Sequence, residues 1–161
     1  MKVSDVMTRT PAWCTPEMNL GAAVEILWNC NCGILPVVTS EGHVVSVVTD
    51  RDICIALGTR NRLPGEITVS EVAAQRAICC TPNEDVRSAL AKMAEARVRR
   101  LPVVDSEGKL EGLLSMDDVV DRTHAKAPVK GNELTSEDVV NTLKQVYAPR
   151  LPMADGKAAV A

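Results

Sequence analysis

The stretch from Val3 to Ile53 is followed by a diverged copy of itself from Val69 to Val119, in register and without a gap. A constant offset of 66 residues, the separation of Pro36 from Pro102, carries Ser4 onto Ser70 and Thr15-Pro16 onto Thr81-Pro82. The same offset carries Leu35-Pro36-Val37-Val38 onto Leu101-Pro102-Val103-Val104, Gly42 onto Gly108 and Asp52 onto Asp118. Two copies are too few for a solenoid, so the duplication points to two units facing each other about a pseudo-twofold axis. Any site built on a repeated residue is then present twice. Units of about 60 residues bury too little surface to be stable singly. The chain of 161 residues is therefore expected to fold as one body.

A net charge of −3 made from both signs gives no field for nucleic acid or anionic lipid. The N-terminal residues carry no apolar targeting core, and no apolar run reaches membrane-spanning length. A cytoplasmic protein is expected, with no nucleic-acid and no membrane partner. Cys14, Cys30, Cys32, Cys54, Cys79 and Cys80 lie in otherwise apolar stretches without the usual spacing of zinc ligands, which reads as small buried hydrophobes.

Within each copy the hydrophobic period changes in a fixed order: a short extended piece, a helix, a hairpin and a second helix. The first helix spans about 19–29, with Leu20, Ala23, Val24, Leu27 and Trp28 on one face. Its counterpart follows Asp85, with Val86, Ala89, Leu90 and Met93 on the matching face, and Asn19 and Asp85 are equivalent N-caps. Runs of β-formers at 34–38 and 44–48 flank Gly42, and runs at 101–104 and 110–114 flank Gly108, so two hairpins are predicted. Each hairpin ends in a hydroxyl residue followed three positions later by an aspartate: Thr49-Asp50-Arg51-Asp52 and Ser115-Met116-Asp117-Asp118. Residues 58–65 read as a connector between copies and 125–133 as a linker. Thr135-Ser136-Glu137-Asp138 then opens a helix carrying Val139, Val140, Leu143, Val146 and Tyr147, ended by Pro149, before a frayed tail from 151. A helix of that length is marginal alone and should dock on the body or on a neighbouring subunit.

Val3-Ser4-Asp5-Val6-Met7, the Leu-Pro-Val-Val strands, Val48-Thr49-Asp50-Arg51-Asp52-Ile53 and Leu114-Ser115-Met116-Asp117-Asp118-Val119 resemble the signature of the cystathionine-β-synthase (CBS) domain. Here it stands as a tandem pair, or Bateman module. The resemblance implies an α+β fold: two pseudo-twofold-related β-α-β-β-α units packed through their sheets, with the C-terminal helix outside the pair. It divides the chain into repeat 1 (1–62), repeat 2 (63–125) and a linker, helix and tail (126–161). It also implies clefts between units that bind adenosine compounds, AMP, ADP, ATP or S-adenosylmethionine, as regulatory ligands rather than obligatory cofactors.

The residues support a nucleotide on their own terms. A helix N-terminus offers N–H groups and a positive dipole end to a phosphate, with a hydroxyl as an added donor. An aspartate can accept both hydrogen bonds of a vicinal ribose diol. The same pattern is also a capping box, which needs no ligand. By resemblance, Asp52 and Asp118 are assigned to ribose, Thr49 and Ser115 to phosphate, and the backbone around Trp13-Cys14 and Cys79-Cys80 to the adenine edge. Leu35, Pro36, Leu101 and Pro102 of the Leu-Pro-Val-Val strands are counted with the ligand-binding candidates, although as apolar residues they read as an ordinary buried strand.

Charge distinguishes the copies. Arg97, Arg99 and Arg100 stand where the first copy has Asn31, Gly33 and Ile34. The family resemblance, in which a basic residue just before this strand often reaches the ligand phosphates, implies that the second cleft is better equipped for an anion. A solvated helix end beside Glu95 explains the arginines equally well. The first has Arg51 in its motif, with Arg60 and Arg62 near. No glycine-rich phosphate loop, activated nucleophile or cluster around His43 or His124 points to catalysis. The expectation is a non-enzymatic sensor that acts on an unidentified protein partner in trans. It should be a homodimer through the short helices bearing Ile53, Ile55, Ala56, Val119 and Val120. Two alternatives are a thiol-based redox or metal-responsive protein using Cys30, Cys32, Cys79 and Cys80, and a structural dimerisation module with no ligand.

Overall fold

The computed structural model describes residues 1–74, 76–123 and 134–148. Chain order gives β1 (Thr8–Arg9), α1 (Leu20–Asn29), β2 (Ile34–Val38), β3 (Val44–Thr49), α2 (Asp50–Arg60), α3 (Val86–Ala96), β4 (Arg100–Val104), β5 (Leu110–Ser115), α4 (Met116–Arg122) and α5 (Ser136–Val146). Short 3-10 turns lie at Val3–Asp5, Pro64–Glu66 and Val69–Glu71. The α+β class and the duplicated order of elements expected from the sequence are both present. His124, the linker, Pro149 and the tail fall outside the described residues; α5 ends at Val146 with Tyr147 as its C-cap.

Local sequence accounts for the elements. Asn19 Oδ1 accepts from Ala22 N–H at 2.9 Å and Asp85 Oδ1 from Arg87 N–H at 2.9 Å, so both long helices start at the expected caps. β2 pairs antiparallel with β3, and β4 with β5, and both ladders shift register at the same repeated step, Val37/Val38 and Val103/Val104. Gly42 and Gly108 turn these hairpins at φ 91° and 85°, where a side chain would be strained. The region expected to be a connector is partly helical: α2 continues through Gly58 to Arg60 and stops at Asn61, whose left-handed backbone is tolerated by asparagine.

The pseudo-twofold shows in hydrogen bonds that occur twice, 66 residues apart. Val44 N–H donates to Gly108 O at 3.0 Å and Leu110 N–H to Gly42 O at 3.1 Å, which joins the two hairpin tips. Val3 N–H donates to Glu84 O at 2.9 Å, and Val69 N–H to Met18 O at 2.8 Å. The opening segment of each copy therefore packs on the other copy's helix. One core gathers Val3, Val6 and Met7 with Val86, Leu90, Met93, Leu101 and Leu114. The other gathers Ile67 and Val69 with Leu20, Leu27, Leu35 and Val48. The sequence repeats and the packed bodies are thus offset by one segment.

α5 breaks the symmetry. It lies along α3 and α4, with Val139 joining the second core and Leu143 packed against it. Thr135 caps it, and Asp138 Oδ2 accepts from Thr135 N–H and Oγ1, each at 2.9 Å. Arg87 Nη2 lies 3.5 Å from the same carboxylate. No helix among the described residues is long and apolar enough to cross a membrane.

Two outcomes follow from this packing. A Cβ at Gly112 would stand 2.7 Å from Met7 Sδ and 2.9 Å from Thr8 O, where β1 pairs with β5. Gly112→Ala should lower the unfolding free energy by about 1–3 kcal/mol, read by urea denaturation. The hydrogen bond from Thr135 N–H lowers the Asp138 pKa from its ordinary value. Its stabilisation of α5 is complete at neutral pH and is lost as pH falls below about 4 through that lowered folded-state value. Hydrogen exchange should show amides 139–146 losing protection on acidification, and Asp138→Asn should show less protection already at pH 7.

Candidate functional site

Each repeated motif sits where a hairpin strand turns into a helix. Thr49 is the N-cap of α2 and Ser115 of α4, and both have extended backbone there. Asp52 Oδ2 accepts from Thr49 N–H at 2.9 Å and from Thr49 Oγ1 at 2.7 Å, while Asp52 N–H donates back to Oγ1 at 3.2 Å. In the second copy the same three contacts are 2.8, 2.6 and 3.1 Å. These are complete capping boxes, and Thr135/Asp138 forms a third outside the repeat. Both motif hydroxyls direct their protons at their own aspartate, so neither is a free phosphate donor as it stands.

The second carboxylate oxygens are where the copies differ. Asp52 Oδ1 has no partner among the described residues. Asp118 Oδ1 accepts from Thr8 Oγ1 at 3.2 Å, a contact that exists because β1 crosses onto β5. Thr8 maps onto Ala74, which has no hydroxyl, and both aspartates are half-buried. The first turn of α2 is also closed: Asp50 N–H donates to Gly33 O at 3.4 Å, Arg51 N–H to Asp50 Oδ1 at 2.7 Å, and Asp52 N–H to Thr49 Oγ1. In α4 the residue matching Asp50 is Met116, so Asp117 N–H has no such acceptor beside it.

The arginines depart from expectation. Arg99 Nη1 donates to Tyr147 Oη at 3.0 Å, and its guanidinium lies 5.9 Å from the Tyr147 ring centroid. It holds the C-terminal helix. Arg60 and Arg62 both converge on Glu71, at 3.6 and 2.7 Å, so they close the connector. Arg100 is only loosely tied, to the exposed Asp117 at 3.4 Å, and its charge is felt at Cys32 of the first copy. Arg51 is exposed.

The extended pieces before the helices are single-residue parallel bridges, Cys14 to Val37 and Cys80 to Val103. Cys14 N–H donates to Pro36 O at 3.0 Å and Cys14 O accepts from Val38 N–H at 2.8 Å, and Cys80 repeats this with Pro102 and Val104. Their backbone groups are engaged in the sheet, which leaves the flanking Trp13 and Cys79 as the adenine-facing candidates. Cys79 O already accepts from Lys92 Nζ at 3.3 Å. Leu35, Pro36, Leu101 and Pro102 are buried strand residues. Burial pushes the Cys14 and Cys80 thiols up to about 12 and also raises Cys32 and Cys79, the opposite of what a reactive thiolate needs. No group of three metal-ligating side chains occurs among the described residues.

The dimer faces expected from the sequence need correction. Ile53, Ala56 and Val119 are buried in the chain's own cores, and only Ile55 and Val120 of that set are exposed. Sequence reasoning missed the Thr8 to Asp118 contact, because nothing local signals that β1 crosses to the other copy.

The chain matches the CBS domain family over residues 3–59 and again over 69–124. A CBS domain-containing protein of Bacillus subtilis, YhcV, is 32% identical over 117 residues, which is 73% of this chain and 81% of that protein. Among solved structures, the CBS domain pair of protein MJ0100 in complex with 5′-methylthioadenosine and S-adenosylmethionine is 25% identical, with a TM-score of 0.69 over 75% of this chain and 94% of that one. CBSX2 in complex with AMP is 27% identical, with a TM-score of 0.66 over 74% and 93%.

Because each aspartate closes a capping box, Asp52→Ala and Asp118→Ala should each cost about 1 kcal/mol of stability. Thermal unfolding of the two variants should show cooperative folds with modestly lowered midpoints, with the larger drop at Asp118, where Thr8 also loses its acceptor.

Proposed function

The chain belongs to the CBS domain family as a tandem pair, and from that premise we propose that it is a regulatory module that senses adenosine compounds. The observation that carries this reading is the spare carboxylate oxygen on each motif aspartate. Oδ2 maintains the helix cap, while Oδ1 of Asp52 is open and Oδ1 of Asp118 meets only the exposed Thr8 hydroxyl. A vicinal diol can donate to these oxygens without dismantling either cap. The complexes of MJ0100 and CBSX2 with adenosine ligands support the same class here: AMP, ADP, ATP or S-adenosylmethionine.

Phosphates fall to Arg100, whose ion pair with Asp117 is exposed and easily exchanged, and at the first motif to Arg51. Thr49 and Ser115 would join only by turning away from their aspartates, and that movement would link occupancy to the firmness of the helix start. The module is not itself a catalyst; it acts on a protein partner in trans, as a homodimer.

Calorimetric titration with adenosine, AMP, ADP and 2′-deoxy-AMP tests this. AMP should bind more tightly than its 2′-deoxy analogue by about 1–3 kcal/mol, the cost of an unmet carboxylate acceptor. Affinity should climb from adenosine to ADP, and Arg100→Ala should flatten that climb while leaving adenosine unchanged. Equal affinity for AMP and 2′-deoxy-AMP would remove the ribose assignment.

A further inference from the structure

The C-terminal helix and the second motif meet at one junction. Arg99, which immediately precedes β4, is engaged through both its backbone and its side chain. Its carbonyl accepts from Met116 N–H, the first amide of α4, at 2.9 Å. Its guanidinium donates at 3.0 Å to the hydroxyl of Tyr147, the C-cap of α5, and lies 5.9 Å from that ring's centroid. Arg100 comes next, opposite Ser115 in the ladder, and its guanidinium stands 3.4 Å from Asp117 in the first turn of α4. Met116 and Val119, which flank Asp117 and Asp118, are buried in the core that Val139 of α5 joins and Leu143 packs against. The start of α4 is thus tied to the motif on one side and to α5 on the other. The first copy keeps only the backbone contact, Asp50 N–H to Gly33 O at 3.4 Å. Glycine stands there in place of Arg99, and an exposed aspartate in place of Met116. No helix matching α5 lies on α1 among the described residues: Val24 and Trp28 are 41% and 83% exposed, against 3% and 8% for their counterparts Leu90 and Ala94 beside α5.

We propose that α5 is the output element of the second motif: a ligand held at Asp118 firms the docking of α5 through Arg99 and the start of α4, while a ligand held at Asp52 leaves α5 as it is. An adenosine compound spanning Asp118 and Arg100 ties the start of β4 to the first turn of α4. Those are the two pieces of backbone whose neighbouring side chains, Arg99 and Met116, reach toward α5 and its core. Without a ligand only the exposed pair of Arg100 with Asp117 joins them by side chains, and a pair of that kind holds weakly in water. Charge-assisted contacts to a bound phosphate hold more firmly, so Arg99 loses freedom and its grip on Tyr147 tightens. The last turn of α5 is where this shows, because an exposed helix end held by one clasp opens at low cost. Such coupling is reciprocal, so a docked α5 favours the bound ligand by the same factor. This inference rests on the adenosine reading of the motif aspartates and adds what binding at one of them changes.

Hydrogen exchange on the full chain, with and without saturating AMP, tests it. AMP should slow exchange of amides 143–147 by about 5-fold, the lower end of allosteric couplings. Asp118→Ala should abolish that slowing, and Asp52→Ala should retain it. Arg99→Ala and Tyr147→Ala should each reduce it, and the double variant should do no more than either single, as two halves of one contact require. Both side chains are exposed, so these variants should keep a circular-dichroism melt close to the parent's. If calorimetry counts AMP bound while exchange of α5 is unchanged, the inference is overturned and the adenosine reading stands. Slowing of α5 that survives Asp118→Ala would overturn it as well. A chain that binds no AMP would overturn both.

Discussion

The crossing of the two opening segments is the contact on which the rest of this structure depends. Val3 and Val69 are both fully buried, each in the core of the opposite copy, and their backbone N–H groups hold the carbonyls of Glu84 and Met18 just ahead of α3 and α1. Neither core is complete without the other half of the chain, so two units that would be marginal singly are bound into one cooperative body. The crossing also carries β1 onto β5, and with it Thr8 onto Asp118. A packing device therefore sets the chemistry at one of the two motifs.

The motif aspartates have two tasks at once. As caps they satisfy the N-terminal amides of α2 and α4, and the unrelated box at Thr135 shows that this chain uses the same arrangement where no repeat is involved. Beyond the cap, Asp52 retains an oxygen with no partner among the described residues, whereas the second oxygen of Asp118 accepts from Thr8. The capping and proposed ligand-binding readings of hydroxyl-x-x-aspartate are not rivals here, since capping occupies only one oxygen of each carboxylate.

Most of the fold was legible in the sequence because it is local. Periodicity, the N-caps Asn19 and Asp85, the two hairpin glycines and the duplicated order all lie within a few residues of what they specify. What the sequence did not show is tertiary. Arg99 looked like a phosphate ligand because it precedes β4, yet Tyr147, 48 residues away, claims it. Arg60 and Arg62 seemed available in a loop, but α2 extends far enough to bring both onto Glu71. Ile53, Ala56 and Val119 seemed too apolar for one small module to cover, and they are its interior. The site residues were legible as a pattern, while the contact of Thr8 with the second oxygen of Asp118 depended on a strand crossing with no local signature.

Duplication fixes the frame and leaves the surfaces free to diverge, and the divergence here is not random in its effects. Replacing Trp28 by Ala94 on the second copy makes room for α5, and Arg99 together with Tyr147 then secures that helix. The same changes engage Arg99 with Tyr147, whereas Arg100 at the start of β4 is tied only to the exposed Asp117. Because α5 packs on α4, the helix whose first turn holds Asp118 is supported by it, whereas among the described residues α2 has no such support. The first turn of α2, at Asp52, is therefore less supported than that of α4, and the two capping boxes, alike in their local hydrogen bonds, differ in how firmly the body behind them holds the helix.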